Sequence, residues 1–182
     1  DNNIDTVITY HPPPYKKIIE KDDIENFLPD SITTSFLDSS INVITIHTAQ
    51  DVCKDGNADT LVDLFNIKNP KVFAQTVGKY GAGRYGTIDM VSPLELKKLI
   101  ENKLNTKIIR TNEYFENMAE IGQIAVLPGS GTQFMEEILQ ISQVFITGDI
   151  SHRYLLKADE EKMGLIQIGH ISSELPGMRK FV

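Results

Sequence analysis

Four histidines occupy equivalent positions along the chain, because each follows a run of β-forming residues. His11, His47 and His170 come directly after such runs, and His152 lies just beyond another. In open α/β sheets, ligands bind at the carboxyl ends of the strands, so we expect the four imidazoles to share one site. Any one of them alone is typical of a surface or hydrogen-bonded histidine, and the prediction therefore rests on the four together.

Two carboxylates accompany these histidines at helical spacing. Asp51 follows His47 by four residues, and Glu174 follows His170 by four. Residues i and i+4 project from the same face of a helix, so each segment would present an imidazole beside a carboxylate. This donor set suits zinc, iron or manganese, and a carboxylate can bridge two ions. With His11 added, the sequence predicts a divalent-metal site that activates water for hydrolysis.

A glycine-rich segment lies between a predicted strand over 123–127 and a predicted amphipathic helix over 133–141. It consists of Gly129, Ser130, Gly131 and Thr132. Glycines allow close approach, and the free N–H groups of a helix start attract anions, so we predict a phosphate-binding loop. The alternative is a plain tight turn with a Ser or Thr cap, because the segment lacks the lysine of a P-loop.

Residues 81–86 match the glycine spacing of a dinucleotide-binding motif. The segment precedes a predicted strand instead of opening a helix, so we reject a dinucleotide site there. We predict instead a conformationally permissive loop from which Arg84 can reach an anion.

The elements that position these side chains alternate along the chain. Helices are predicted over 57–65, from Pro93 to about residue 103, and over 133–141. Ser92 and Glu95 form a capping box at the start of the second of these helices. Strands are predicted over 7–10, 42–46, 72–77, 85–90, 107–110, 123–127, 144–147 and 165–168. This order predicts an α/β protein with a largely parallel sheet or two such sheets. We place a lobe boundary near Asn69 and Pro70, giving lobes 1–69 and 70–182.

Composition narrows the classes of function. The chain of 182 residues is 41% hydrophobic and 24% charged, with a net charge of −7. This balance argues against broad electrostatic binding of nucleic acid. One cysteine excludes an internal disulfide, and no apolar run is long enough to cross a membrane. We expect a cytoplasmic protein, with an additional nuclear pool and a removed targeting segment both left open.

Five segments, taken in order, resemble the signature motifs of a known family. They are Ile8-Thr9-Tyr10-His11-Pro12-Pro13, His47-Thr48-Ala49-Gln50-Asp51, Gly129-Ser130-Gly131-Thr132, Ile146-Thr147-Gly148-Asp149-Ile150-Ser151-His152 and Gly169-His170-Ile171-Ser172-Ser173-Glu174. Together they are similar to the NIF-three-like family, also called GTP cyclohydrolase type 2 homologues. The match spans nearly the whole chain, and its Tyr-His-Pro-Pro form resembles the eukaryotic branch.

The resemblance implies two α/β lobes with mixed, largely parallel sheets and a metal site for two divalent ions (Zn, Fe or Mn) between them. It also implies a homo-oligomer, often a hexameric ring of dimers. The ligands implied are His11, Asp51, His170 and Glu174, with His47 and His152 in or near the same pocket.

The chain departs from the family pattern at three places. Tyr10 stands where many bacterial members have a second histidine, so one ion would lose a ligand, accept the phenol oxygen or bind weakly. Arg153 stands where many members have a histidine, which implies a pocket that prefers anionic substrates. The segment that would precede Asp1 in the family is also missing, with its first strand and helix, so we expect either a shortened form of the protein or a sequence from which part of the protein is absent.

Two functions of different classes follow. The leading hypothesis is a metal-dependent hydrolase acting on a phosphorylated or nucleotide-like small molecule, with Glu174 bridging the ions and no catalytic residue named. The alternative is a non-catalytic, metal-stabilised regulatory or protein-interaction module linked to transcription. Metal storage is a third reading. Nothing in the sequence identifies a guanine site, so the GTP cyclohydrolase name does not establish that reaction.

Overall fold

A computed structural model of the chain describes residues 4–12 and 41–182. The chain divides into two compact units, Asp1–Gln50 and Asp51–Val182. Asn69 and Pro70, where the sequence predicted a lobe boundary, lie within a strand of the second unit. The sequence between Pro14 and about Ser40 is polar and compatible with helix formation, and it lies outside the described residues. Within those residues, no helix has the length and apolar run needed to cross a bilayer.

The first unit contains a short parallel pair of strands. Strand β1 (Thr6–Thr9) pairs with β2 (Asn42–Thr45) in register Thr6 to Asn42. The pairing continues past the strand ends, because the N–H of His47 donates to the carbonyl of Tyr10 at 3.0 Å. Helix α1 (His47–Val52) then begins at once and continues into the second unit. Both strands therefore deliver a histidine to the same end of the pair.

The second unit is built on a six-stranded mixed sheet. Its strands are β3 (Lys68–Val77), β4 (Tyr80–Val91), β5 (Arg110–Thr111), β6 (Ile121–Ser130), β7 (Val144–Asp149) and β8 (Gly164–Gln167). The spatial order is β3-β4-β6-β7-β8-β5, with β6, β7 and β8 mutually parallel and the other pairings antiparallel. The predicted α/β class is confirmed, with a sheet that is mixed and only partly parallel.

Helices cover both faces of this sheet. They are α2 (Asn57–Phe65), α3 (Pro93–Leu104), α4 (Glu113–Glu116), α5 (Met135–Ile138), α6 (His152–Glu160) and α7 (His170–Phe181). Consecutive residues of β6 face opposite sides of the sheet. Ile124 packs in the core formed with α2 and α3, and Ala125 packs in the second core, formed with α5 and α6. Because these strands are buried on both faces, the polar side chains that could bind a ligand are expected at their carboxyl ends.

Three predicted elements differ from the structure. The predicted helix over 133–141 is a 3₁₀ turn (Thr132–Phe134) followed by the single turn α5. The predicted strand over 107–110 is reduced to the two residues of β5, which pair with the edge of β8. The predicted glycine-rich loop lies inside β4, where a Cβ at Gly83 would collide with the ring of Phe73 on β3. A cross-strand aromatic ring therefore explains that glycine better than loop flexibility does.

Candidate metal centre

The first turn of α7 presents an imidazole and a carboxylate side by side. Gly169 joins β8 to α7 with φ +87°, a left-handed conformation that favours glycine. His170 opens the helix and Glu174 follows one turn later, so both project from the same face, as their spacing predicted. His170 Nε2 lies 3.0 Å from Glu174 Oε1, and Glu174 is only 6% exposed.

The separation of these two atoms suits ligands of a single ion. Zinc binds imidazole nitrogen and carboxylate oxygen at about 2.0–2.2 Å, so two such ligands around one ion are about 3.0–3.4 Å apart at octahedral to tetrahedral angles. The observed 3.0 Å falls in this range. The spacing of His170 and Glu174 is therefore compatible with two ligands of one divalent cation.

Asp149 holds the other face of the His170 ring. It is the last residue of β7, and its Oδ2 lies 2.5 Å from His170 Nδ1. A carboxylate at one ring nitrogen fixes the orientation of a metal-binding histidine and leaves the other nitrogen to bind the ion. Asp149 was not among the predicted site residues, although its position at the end of a buried strand was a usable signal.

The same two carboxylates shift the protonation of His170. Burial lowers the pKa of the imidazole, but the hydrogen bond to Asp149 and the negative charges of Glu174 and Asp149 outweigh that effect and raise the pKa above its ordinary value. These groups stabilise positive charge at the position where a cation would bind. A metal ion would therefore compete with a proton for His170.

Two glycines at neighbouring strand ends leave room for this pair. Gly129, near the end of β6, has φ +69°, and a Cβ there would lie 2.6 Å from Glu174 Oε1 and 3.4 Å from His170 Nε2. At Gly148 on β7, a Cβ would lie 2.8 Å from His170 Cα. Only glycine therefore allows α7 to start so close to the sheet.

A buried serine fixes the start of α7 against the sheet. The hydroxyl of Ser173 accepts a hydrogen bond from the N–H of Gly129 at 2.8 Å and donates to the carbonyl of His170 at 2.6 Å. The N–H of Gly129 is thus already bonded within the protein. Anion binding by Gly129, Ser130, Gly131 and Thr132 stays a prediction, whereas the contact of Gly129 with Glu174 is a role that sequence reasoning missed.

A hydrogen bond to Asn57 connects Asp51 to helix α7. The fully buried Asn57, first residue of α2, donates from Nδ2 to Asp51 Oδ1 at 2.9 Å. Asn57 also packs on α7, because a Cβ at Gly177 would lie 2.7 Å from Asn57 Cα. One asparagine therefore links Asp51 to the helix that carries His170 and Glu174. Sequence reasoning missed Asn57.

The first unit brings three aromatic side chains together at the ends of β1 and β2. The ring centroids of His11 and His47 are 4.8 Å apart, and the Tyr10 ring lies 4.7 Å from His11 and 5.2 Å from His47. Parallel pairing of two strands that each end in a histidine explains this cluster.

The remaining predicted site residues lie on other elements. His152 is exposed at the start of α6, and the guanidinium of Arg153 lies over the Tyr154 ring, 4.7 Å from its centroid. Arg153 and Thr132 line one cavity of about 400 Å³ in the second unit. Arg84 is buried in β4 and bonds internally to Asp59, Gly81 and Gly83.

We predict that Asp149→Asn lowers the affinity for Zn²⁺ or Mn²⁺ by about 10- to 100-fold, the usual effect of removing the group that orients a ligating histidine. Isothermal titration of metal-free protein measures this. Asp89→Asn is the matched control, because Asp89 is exposed and pairs with Lys68 at the surface. Equal affinities for the two variants would show that Asp149 does not orient a metal ligand.

Comparisons with known proteins place these features in context. The sequence model of Duf34/NIF3 (NGG1p interacting factor 3) matches residues 1–182. A GTP cyclohydrolase 1 type 2 homolog of Methanocaldococcus jannaschii is 28% identical over 184 residues, covering 98% of this chain and 69% of that protein. A similar homolog of Clostridium acetobutylicum is also 28% identical, covering 98% and 67%.

A solved structure supports the fold independently. A Bacillus cereus protein related to NIF3 superposes with a TM-score of 0.79 at 14% identity, covering 97% of this chain and 75% of that one. At this level of identity the likeness establishes the fold alone. The chain therefore has the fold of these proteins over nearly its whole length and spans about two thirds to three quarters of theirs.

Proposed function

Because the chain belongs to the Duf34/NIF3 family, we propose that it is a divalent-metal-dependent hydrolase of a phosphorylated or nucleotide-like small molecule. The observation that carries the proposal is the His170 and Glu174 pair, 3.0 Å apart, with Asp149 on the far side of the imidazole. The names of the relatives, which refer to a GTP cyclohydrolase, favour a nucleotide-like substrate.

The proposal extends to two ions and two further ligands. His11 and Asp51 would supply the additional imidazole and carboxylate that a second ion needs, and Glu174 has two oxygens with which to bridge. The ring of Tyr10 lies 4.7 Å from that of His11. The family resemblance implies that this phenol stands where many bacterial members have a second histidine. We therefore propose that the second ion binds more weakly than the first.

Each residue of the candidate site would have a separate role in hydrolysis. A bound divalent ion would supply a nucleophile near neutral pH and polarise the oxygen under attack. His170 would bind the ion through Nε2, because its Nδ1 is hydrogen-bonded to Asp149. The buried carboxylate of Glu174 would neutralise part of the positive charge of the ion. Arg153, beside Thr132 in its cavity, would hold a negatively charged part of the substrate.

Turnover separates this proposal from its alternative. We expect the metal-loaded protein to hydrolyse at least one member of a panel of nucleotides and phosphoesters, and Glu174→Gln to lose that turnover while its circular dichroism and elution volume stay unchanged. Glu161→Gln, at an exposed position after α6, is the control. The proposal would be contradicted if the wild-type protein and the Glu174→Gln variant both showed no turnover of any compound in the panel.

A second candidate is a metal-stabilised interaction module, which the family description as an interacting factor favours. In that case Glu174→Gln would change thermal stability or the oligomer instead of turnover. Light scattering after size exclusion measures the oligomer directly and tests the proposed homo-oligomer, including a hexamer.

A further inference from the structure

We propose that a cavity beside the β3–β4 hairpin binds the phosphoryl group of a small organic anion. The cavity has a volume of about 330 Å³ and is lined by Lys54, Asp59, Pro70, Val72, Lys79, Tyr80 and Arg84. This volume falls in the range of small-molecule sites. The proposal goes beyond the proposed function, because binding here requires neither the metal centre nor turnover.

The charge of the lining carries the inference. Three cations and one carboxylate face the cavity, which gives it two net positive charges on a chain whose net charge is −7. The carboxylate of Asp59 is already bonded, with Oδ1 accepting from Arg84 Nε at 2.6 Å and Oδ2 from the N–H of Asp55 at 2.8 Å. Local cationic charge in an acidic protein selects for an anionic ligand.

Arg84 provides a fixed donor in this cavity. Its side chain is 7% exposed, and its Nη1 donates to the carbonyls of Gly81 at 2.7 Å and Gly83 at 3.0 Å. Within the part of the chain that is described, Nη2 has no hydrogen-bond partner, so this nitrogen is left for a ligand. A buried, preorganised guanidinium is a strong partner for phosphate oxygens.

Two lysines provide mobile cations at the same place. Lys54 and Lys79 are exposed and form no ion pair with any carboxylate of the described ranges 4–12 and 41–182. Lys79 Nζ lies 5.6 Å from the centroid of the Tyr80 ring. Both ammonium groups can therefore turn toward an anion held by Arg84 without breaking a salt bridge.

The apolar wall indicates that the anion is part of a larger molecule. Pro70, Val72 and the half-exposed ring of Tyr80 line the cavity beside the cations. A free phosphate ion would leave this wall in contact with water, whereas a nucleoside or another flat organic group would bury it against Tyr80. The ligand class that fits both surfaces is an organic phosphate monoester.

Calorimetric titration of metal-free protein tests the proposal, with inorganic phosphate and AMP as probes at low ionic strength. We expect saturable binding of AMP to wild-type protein, and binding at least about tenfold weaker in Lys54→Ala/Lys79→Ala, because the variant loses two charged hydrogen-bond donors to the phosphoryl group. Lys98→Ala/Lys103→Ala is the matched control, since both lysines are exposed on α3 away from the cavity.

The two probes distinguish the sources of the phosphoryl group. Tighter binding of AMP than of phosphate, with the advantage lost in Tyr80→Ala, supports an organic ligand. Equal binding of both probes would overturn the organic part of the proposal. No saturable binding to wild-type protein, or equal losses in the two double-lysine variants, would overturn the cavity as a phosphoryl site. Because metal is absent, none of these results depends on the proposed hydrolysis.

Discussion

Gly129→Ala is expected to lower divalent-metal affinity by at least about tenfold and the free energy of unfolding by about 1–3 kcal/mol. The added methyl would lie 2.6 Å from Glu174 Oε1 and 3.4 Å from His170 Nε2, so it would displace the carboxylate from the imidazole. Overpacking of this kind costs about 1–3 kcal/mol, and the left-handed φ of +69° adds strain. Metal titration and urea denaturation measure the two effects.

Gly78→Ala isolates the steric part of this prediction. Gly78 lies in the β3–β4 turn with φ +56°, and a Cβ there has no atom within 4 Å. It therefore introduces similar backbone strain without touching the candidate centre. We expect Gly78→Ala to lose some stability and keep its metal affinity; equal affinity for metal in both variants would show that Gly129 does not make room for a ligand.

Asp59→Asn is expected to lower the free energy of unfolding by about 3 kcal/mol. Asp59 Oδ1 accepts a 2.6 Å hydrogen bond from Arg84 Nε, and the Arg84 side chain is only 7% exposed. Removing one partner of a buried ion pair leaves the other charge uncompensated, which typically costs about 3–5 kcal/mol, and the partial exposure of Asp59 places the effect at the lower end.

A matched control lies one helical turn away on α2. Asp63 pairs with Lys180 at 3.2 Å, and both side chains are largely exposed, so Asp63→Asn should change stability by less than about 1 kcal/mol. Urea unfolding of both variants gives the comparison. If Asp59→Asn unfolds at the same urea concentration as Asp63→Asn, Arg84 does not depend on this carboxylate.

The local part of the metal centre could be predicted from the sequence. The spacing of His170 and Glu174 fixes their shared face once a helix forms, and a histidine after a β-branched run marks the end of a strand. Both relationships involve residues fewer than five positions apart. The predicted metal chemistry of this pair therefore needed no knowledge of the tertiary fold.

The groups that sequence reasoning missed act through contacts distant in the chain. Asp149 meets His170 from a neighbouring strand, and Asn57 meets α7 from the start of α2. Gly129 was predicted to cradle phosphate from its local motif, but its proximity to Glu174 depends on how α7 packs. No local pattern encodes these pairings, because the sheet order β6-β7-β8 and the packing of α2 against α7 create them.

Tertiary packing also explains why some elements were predicted incorrectly. The glycines of residues 81–86 resemble a loop by composition, yet Gly83 lies in β4 because the Phe73 ring occupies the space of a side chain. The amphipathic pattern over 133–141 predicted a full helix, whereas a 3₁₀ turn and one turn of helix suffice to bury Met135 and Ile138.

The most direct test of the account is the metal content of purified, reconstituted protein, measured by inductively coupled plasma mass spectrometry. Wild type is compared with His170→Ala and with Ile171→Ala, an exposed neighbour on the same helix. We predict about one to two ions per chain in wild type and Ile171→Ala and loss of metal in His170→Ala. No metal in wild-type protein, or unchanged content in His170→Ala, would contradict the central claim.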